Sequence, residues 1–443
     1  MVIKRNTYLD RIIAAKHDGF VKIITGIRRC GKSYLLMKLF GGHLKACGVP
    51  SARIIRVALD DDKNVKLRNP VALSSWIRSR IRSRAVWHYV FIDEIQMCEE
   101  VEIDVGDVKT KLTFYDVLNG LLKYPKVDVY VTGSNSKTLS SDIATSFRDR
   151  GEEIQLHPLT FSEFLQTTKK DEYSAFREYM TYGGMPGCVL KHSQADKRAY
   201  LDGLFRKVFL KDIVERHGIR DTAVLETLVN VLCSTVGSLT NPNRLVQTMN
   251  SQAGMKTNSP TVQNYIGYLV EAFLFRKAER YDVRGKKYLE FPSKYYVEDV
   301  GLRNARLNFR EQEEAHLMEN VIFNELIARG YSVDVGVVEL SERKDGQSLR
   351  RRYEIDFVVN TGFSKIYIQS AYSIADADKR RQETKSLEKS GDFFKKIVVT
   401  AANESAWEDE HGIMYVGVIP FLTNSNILGA AISGGNARST EGI

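Results

Sequence analysis

Three stretches in the first third of the chain share one hydropathy pattern. FVKII (20–24), HYVFIDEIQ (88–96) and VDVYVTGSNS (127–136) are strand-like runs that give way to small or acidic polar residues. Apolar runs without strict alternation predict strands buried on both faces, the habit of a parallel sheet. The helix-like YLLMKLF follows the first run, and EEIQLHPL (152–159) reads as a further strand. An α/β first domain is expected.

Beyond it the period changes to that of helices. Leu201, Leu204, Phe205, Val208, Phe209 and Ile213 recur on one helical face, and TAVLETLVNVLCSTVG (222–237) predicts a second helix. NRLVQTMNSQAG and NSPTVQNYIGYLVEAFLF then predict two shorter helices, with Ser259 as cap and Pro260 in the first turn. RKAERYDVRGKKYLEFPSKYYVED (276–299) predicts a hairpin with DVRGKK at its tip. The last part reads helix (HLMENVIFNELIARG), strands (YSVDVGVVEL, RRYEIDFVVN, KIYIQSAY), helix (376–390) and strand (FKKIVVTAA).

At ~150 residues per domain, 443 residues suggest about three. The boundaries expected are 1–195, 196–310 and 311–425, with a flexible Gly/Ser-rich tail at 426–443. Five scattered cysteines without a CxxC pair point to a reducing cytoplasm and away from disulfides or structural zinc. No run approaches the ~20 apolar residues that span a bilayer, and the N-terminus has no secretory signal pattern. A net charge of +9 favours polyanionic partners, nucleic acid first.

Between the first strand and its helix stands G-x-x-x-x-G-K-S, Gly26 to Ser33. That context marks a phosphate-binding loop, whose backbone N–H groups converge on a β-phosphate while the helix points its positive end there. Gly26, Ile27, Arg28, Arg29, Cys30, Gly31, Lys32, Ser33 and Tyr34 are the expected ATP contacts, Lys32 reaching the β- and γ-phosphates and Ser33 holding Mg²⁺. Arg28 and Arg29 are extra charges, for phosphate or for an acidic neighbour. Asp93 closes the second strand and is the expected Mg²⁺ residue, with Glu94 orienting or deprotonating water. At the end of the third strand, where such a sheet places its ligand crevice, Thr132, Ser134 or Asn135 either senses the γ-phosphate or the attacking water or belongs to a polar turn with no role. Arg148 or Arg150 is either an arginine finger on a neighbouring subunit's nucleotide or a surface partner of Asp149 or Glu152.

GIRRCGKS, YVFIDEIQ, VTGSNS, HPLTFSEFL and YGGMPG (182–187), in that order, resemble a prokaryotic AAA+-like P-loop ATPase family with a C-terminal domain of unknown function. The resemblance continues through FRKVFLKDIVERHGI, KYYVEDVGLRNA and EIDFVV. It implies a parallel-sheet P-loop NTPase module, a winged-helix segment and a restriction-endonuclease-like α/β domain. YGGMPG itself reads as a rigid connector closing the ATPase module, or as a ligand loop.

The helix–turn–helix and basic hairpin spell a winged helix. If DNA is its partner, Asn258, Thr261, Gln263 and Asn264 face the major groove, and Arg284, Lys286 and Lys287 meet phosphates. The last segment's α-β-β-β-α-β order resembles the PD-(D/E)XK nucleases. Asp356 matches the strand aspartate, Glu319 or Glu325 the helix glutamate, but Gln369-Ser370-Ala371 stands where E-x-K is expected. Gln369 is a poor Mg²⁺ ligand and Ala371 supports no hydroxide, so the site is expected to be degenerate. Three functions are expected in descending order: an oligomeric ATPase acting on DNA, a nucleotide-gated switch recruiting a protein partner, and an ATP-regulated nuclease.

Overall fold

The computed structural model describes residues 2–105, 108–134, 150–252, 254–310, 313–344, 347–362, 364–374 and 376–429. Asn135 and Arg148 lie outside them, as does most of the expected tail. Two compact units emerge. One comprises Val2–His157 with Glu271–Phe273, the other Pro158–Val270 with the chain from Leu274. The division therefore falls at His157, where the hydropathy reading places it at 195. No helix among the described residues is long and apolar enough to cross a membrane.

The first unit is built on β1 (Val21–Thr25), β2 (Ile54–Ala58), β3 (His88–Asp93), β6 (Val127–Thr132) and β7 (Gly151–Gln155), with a separate hairpin of β4 (Val101–Val105) and β5 (Val108–Leu112). The five strands pair parallel throughout, in the order β2-β3-β6-β1-β7. Their period of two sorts the side chains. Val90, Ile92, Val129 and Val131 pack on one face against Leu73, Ile77, Leu118 and Leu121. The helices supplying those leucines are fixed by local chemistry: Asn69 caps Pro70–Arg78, and Thr113 with Asp116 forms a capping box for Phe114–Leu122. On the other face Phe91 and Tyr130 meet edge-on at 5.5 Å, and Phe40, from the helical segment after the glycine loop, lies 4.8 Å from Tyr130. By the same alternation Asp93 and Thr132 project on this second face. At the amino ends of the strands Lys22 is buried in an ion pair with Asp128 (2.5 Å) and Asp18 (2.6 Å).

The second unit carries an eight-stranded mixed sheet. Its strands are β8 (Phe275–Asp282), β9 (Lys287–Val297), β10 (Ser332–Lys344), β11 (Gln347–Asn360), β12 (Lys365–Ala371), β13 (Lys395–Thr400), β14 (Trp407–Glu408) and β15 (Ile413–Gly417). They run in the order β14-β15-β13-β12-β11-β10-β8-β9. The helix Glu314–Ala328 precedes β10 and the helix Ala377–Glu388 separates β12 from β13, in the element order expected from hydropathy. The hairpin expected as a wing is β8–β9, and β8 pairs parallel with β10 through Arg280, Tyr281 and Asp282. Segments expected in separate domains, 196–310 and 311–425, thus share one sheet. Val335 and Val337 are apolar and buried, so the β10 edge is covered by a strand instead of being left to water.

YGGMPG sits in this second unit. The Gly184 N–H donates to Asp299 Oδ2 at 2.7 Å, and Asp299 Oδ1 accepts from the Leu302 N–H at 3.1 Å, capping Val300–Arg306. Asn304 Nδ2 donates to the carbonyls of Met180 and Thr181. A Cβ on Gly184 would lie 2.1 Å from the Leu159 carbonyl oxygen, and one on Gly301 2.1 Å from that of Tyr182. The motif is a close backbone-to-backbone junction, and its glycines are there for lack of room.

Candidate functional site

The loop after β1 takes the shape its glycines allow. Gly26 has φ +136° and Gly31 φ +106°, and a Cβ on Gly26 would come within 2.1 Å of the Leu156 carbonyl oxygen. Lys32 is buried, its Nζ donating to the carbonyls of Gly26 (3.0 Å) and Ile27 (3.2 Å). Cys30 Sγ donates to Leu156 O at 3.4 Å. Arg28 is half-buried, while Arg29 (φ 67°), Ser33 and Tyr34 are exposed. Arg5, which carries no cue in the sequence, straps the loop to the chain after β7: its guanidinium donates to the Cys30 carbonyl at 3.2 Å and the His157 carbonyl at 2.9 Å.

Two strand ends converge beside this loop. Ser33 Oγ donates to Asp93 Oδ1 at 3.0 Å. The Thr132 hydroxyl, at the end of the intervening β6, donates to the same oxygen and accepts from the Glu94 N–H at 3.0 Å. Burial pushes the Asp93 carboxyl above the ordinary aspartate range, the bonds from Thr132 and Ser33 pull it back, and Glu94 and Asp60 push it further up. Glu94 has left-handed backbone (φ 52°, ψ 54°), which turns its side chain off the strand. Its Oε2 accepts from Gln96 Nε2 and from Ser134 Oγ, the latter at 3.4 Å. Neither the left-handed turn at Glu94 nor the part played by Gln96 is signalled in the sequence. Arg150 is exposed at the start of β7, where its carbonyl accepts from the Val21 N–H.

A carboxylate and a hydroxyl at hydrogen-bond distance, next to an ammonium and a loop of backbone N–H groups, form an oxygen-donor set suited to a hard divalent cation and its phosphate ligand. Asp93 and Ser33 are the residues that would hold Mg²⁺, and the cation would supply charge neutralisation of a triphosphate.

Residues 18–165 match a family model described as an AAA domain, and residues 173–313 one described as a domain of unknown function. An uncharacterized protein of Haemophilus influenzae is 32% identical over 426 residues, spanning 95% of this chain and 98% of its own length. The chain belongs to that protein's family. The uncharacterized protein MJ1544 of Methanocaldococcus jannaschii is 28% identical over 405 residues, or 88% of this chain and 82% of that one. Among solved structures, a Walker-type ATPase of Pyrococcus abyssi aligns at 12% identity and TM-score 0.47, covering 69% of this chain and 96% of that chain. The Orc1 protein of Aeropyrum pernix in complex with DNA aligns at 12% identity and TM-score 0.28, covering 70% and 93%. Both structural likenesses are too remote to bear on function. The first unit is an α/β P-loop fold of the AAA type.

The sequence-derived nuclease-like residues separate. Asp356 on β11 lies near Gln369 on β12, whose Oε1 accepts from the Asp356 N–H at 3.4 Å. Glu319 joins them through a shared partner, Lys294. Glu325, the alternative helix glutamate, instead pairs with Arg329 at 2.8 Å. The two glutamates are six residues apart, about one and two-thirds helical turns, so their side chains point about 120° apart and only one of them can face the sheet residue. Glu383, missed in the sequence, accepts from Gln369 Nε2 at 3.4 Å.

On the helix Ser259–Glu271, Gln263 and Asn264 are exposed and Thr261 is half-buried. Its cap is Asn258, whose Oδ1 accepts from the Thr261 N–H at 2.9 Å. The expected cap, Ser259, is the first helical residue, and Asn258 is engaged with its own backbone. Arg284, Lys286 and Lys287 are exposed at the β8–β9 turn.

Proposed function

We propose that this chain binds ATP at residues 26–34 and hydrolyses it with Mg²⁺, coupling turnover to a conformational change on DNA as an oligomer. The observation that carries the reading is the meeting of Ser33 and Asp93 at 3.0 Å beside the Lys32 ammonium. Lys32 exchanges its loop carbonyls for phosphate oxygens, and its charge offsets that of the transferring group. Glu94 orients the attacking water and takes its proton. Thr132 ties the Glu94 backbone to Asp93, so the two acids move as one. The +9 charge and the exposed Gln263, Asn264, Arg284, Lys286 and Lys287 support DNA as the polyanion.

A second reading, a nucleotide-gated switch with slow turnover, is favoured by one observation: Glu94 Oε2 is shared by Gln96 and Ser134. Titrating duplex and single-stranded DNA into an ATPase assay separates the two. DNA raises turnover under the first reading, and substituting Arg284, Lys286 and Lys287 by Ala reduces that rise. A rate unchanged by any DNA, with an ATP-dependent change of oligomeric state, favours the switch. Tight, unaltered ATP binding by Lys32→Ala would contradict both.

A further inference from the structure

Lys294, on β9, has a side chain only 3% exposed. Its Nζ lies 2.8 Å from Glu319 Oε1, 2.8 Å from Glu354 Oε1 and 3.2 Å from Asp356 Oδ1. An ammonium has three hydrogens, and here each has a carboxylate to meet. Two further groups donate to these acids. Tyr296 OH donates to Glu319 Oε1 at 2.7 Å, and the Ser370 N–H donates to Asp356 Oδ2 at 2.9 Å.

The resemblance of residues 311–425 to metal-dependent nucleases implies a divalent cation held between a helix glutamate and Asp356. The residues present do not fit one. The place between Glu319 and Asp356 is filled by the chain's own ammonium, which reaches both. Gln369 replaces the third carboxylate. Among the described residues no group of three or more His, Cys, Asp or Glu side chains is arranged to hold a metal ion. Nor does Lys294 act like a lysine poised beside an attacking water, since its hydrogens are spent on acids.

We infer that Lys294 is an internal cation standing where a metal would otherwise sit, so that this domain holds its acidic cluster together without a divalent ion and does not cut nucleic acid. A buried ammonium surrounded by acids is favourable only while the partners remain in place; removing it leaves Glu319, Glu354 and Asp356 facing one another. Burial and the neighbouring Asp356 charge push the Glu319 carboxyl up, and the Lys294 ammonium pulls it back.

The test is Mn²⁺ binding, followed by electron paramagnetic resonance and by thermal shift, in an Asp93→Asn background that silences the first unit. With Lys294 intact, Mn²⁺ is expected to bind no tighter than the millimolar range. Lys294→Ala is expected to gain at least tenfold in Mn²⁺ affinity, and adding Glu319→Gln is expected to remove the gain. Micromolar Mn²⁺ binding with Lys294 intact, lost on Asp356→Ala, would overturn the inference, as would Mn²⁺-dependent DNA cleavage abolished by that substitution. Because the Lys294-intact measurement stands alone, the inference stays testable if Lys294→Ala fails to fold, and it is independent of whether the first unit hydrolyses ATP.

Discussion

Ser33 Oγ donates to Asp93 Oδ1 across 3.0 Å, joining the first helical turn after the glycine loop to the end of β3. The two residues lie on separate strand–loop units that only the sheet brings together. Asp93 is buried and its carboxyl is raised, with Ser33 and Thr132 working against the rise. A raised carboxyl in the fold contributes most to stability when protonated, and that contribution is lost as pH rises through its folded value. Cation binding runs the other way, because only the ionised form attracts Mg²⁺. Mg²⁺-dependent ATP affinity is therefore expected to weaken on acidification at a higher pH than an ordinary aspartate would give. Ser33→Ala moves the onset higher still. Titration calorimetry from pH 7.5 downward checks this, and an affinity indifferent to pH would count against it.

Glu94 has a different task from Asp93, so its loss has a different signature. Glu94→Gln keeps the size and the hydrogen-bonding capacity toward Gln96 and Ser134 but removes the base. ATP affinity is expected to stay within about threefold while turnover drops by roughly 10²–10⁴-fold, the usual worth of a general base. Fluorescent-nucleotide binding measured beside phosphate release separates the two effects. Equal turnover in the variant would assign the water to another residue.

Gly184 has no room for a methyl group, since its Cβ would sit 2.1 Å from a backbone oxygen. Gly184→Ala is expected to destabilise the second unit by about 1–3 kcal/mol, the range for overpacked positions. Gly42, whose Cβ would meet nothing within 4 Å, serves as the control, and Gly42→Ala is expected to be neutral or slightly stabilising. Denaturant midpoints compare the two, and similar midpoints for both variants would refute the close-junction reading.

Asp299 is fully buried under the same junction, and burial pushes its carboxyl up to about 7 against the pull of the Gly184, Leu302 and Gly301 N–H groups. Because the folded value lies above the unfolded one of 3.8, the stability from this group is complete below about 4 and falls as pH rises through about 7. Asp299→Asn loses an acceptor and is expected to cost about 1–3 kcal/mol at pH 5. The gap between the two proteins is expected to shrink from pH 5 to about 7 and to level off above that. Melting temperatures across pH 5–8 report it, and a gap constant with pH would show that Asp299 does not titrate there.

What the sequence by itself determined is local. Gly26 and Gly31 are required by backbone angles that other residues rarely adopt, Lys32 and Ser33 follow from their spacing, and the period of β3 and β6 places Asp93 at a strand end. Each of these is set within a window of a few residues, where backbone sterics and alternation decide the outcome.

What only the tertiary structure decided is which distant groups meet. Thr132 bridges two acids because β6 inserts between β1 and β3. Arg5 ties down the glycine loop, Asp299 holds Gly184, and β8 joins the C-terminal sheet instead of standing free as a wing. Lys294 takes its place among Glu319, Glu354 and Asp356 in the same way. A lysine, arginine or aspartate looks the same in a one-dimensional pattern whether it is solvated or buried. Its role is set by the charges that packing carries to it, and those come from anywhere along the chain.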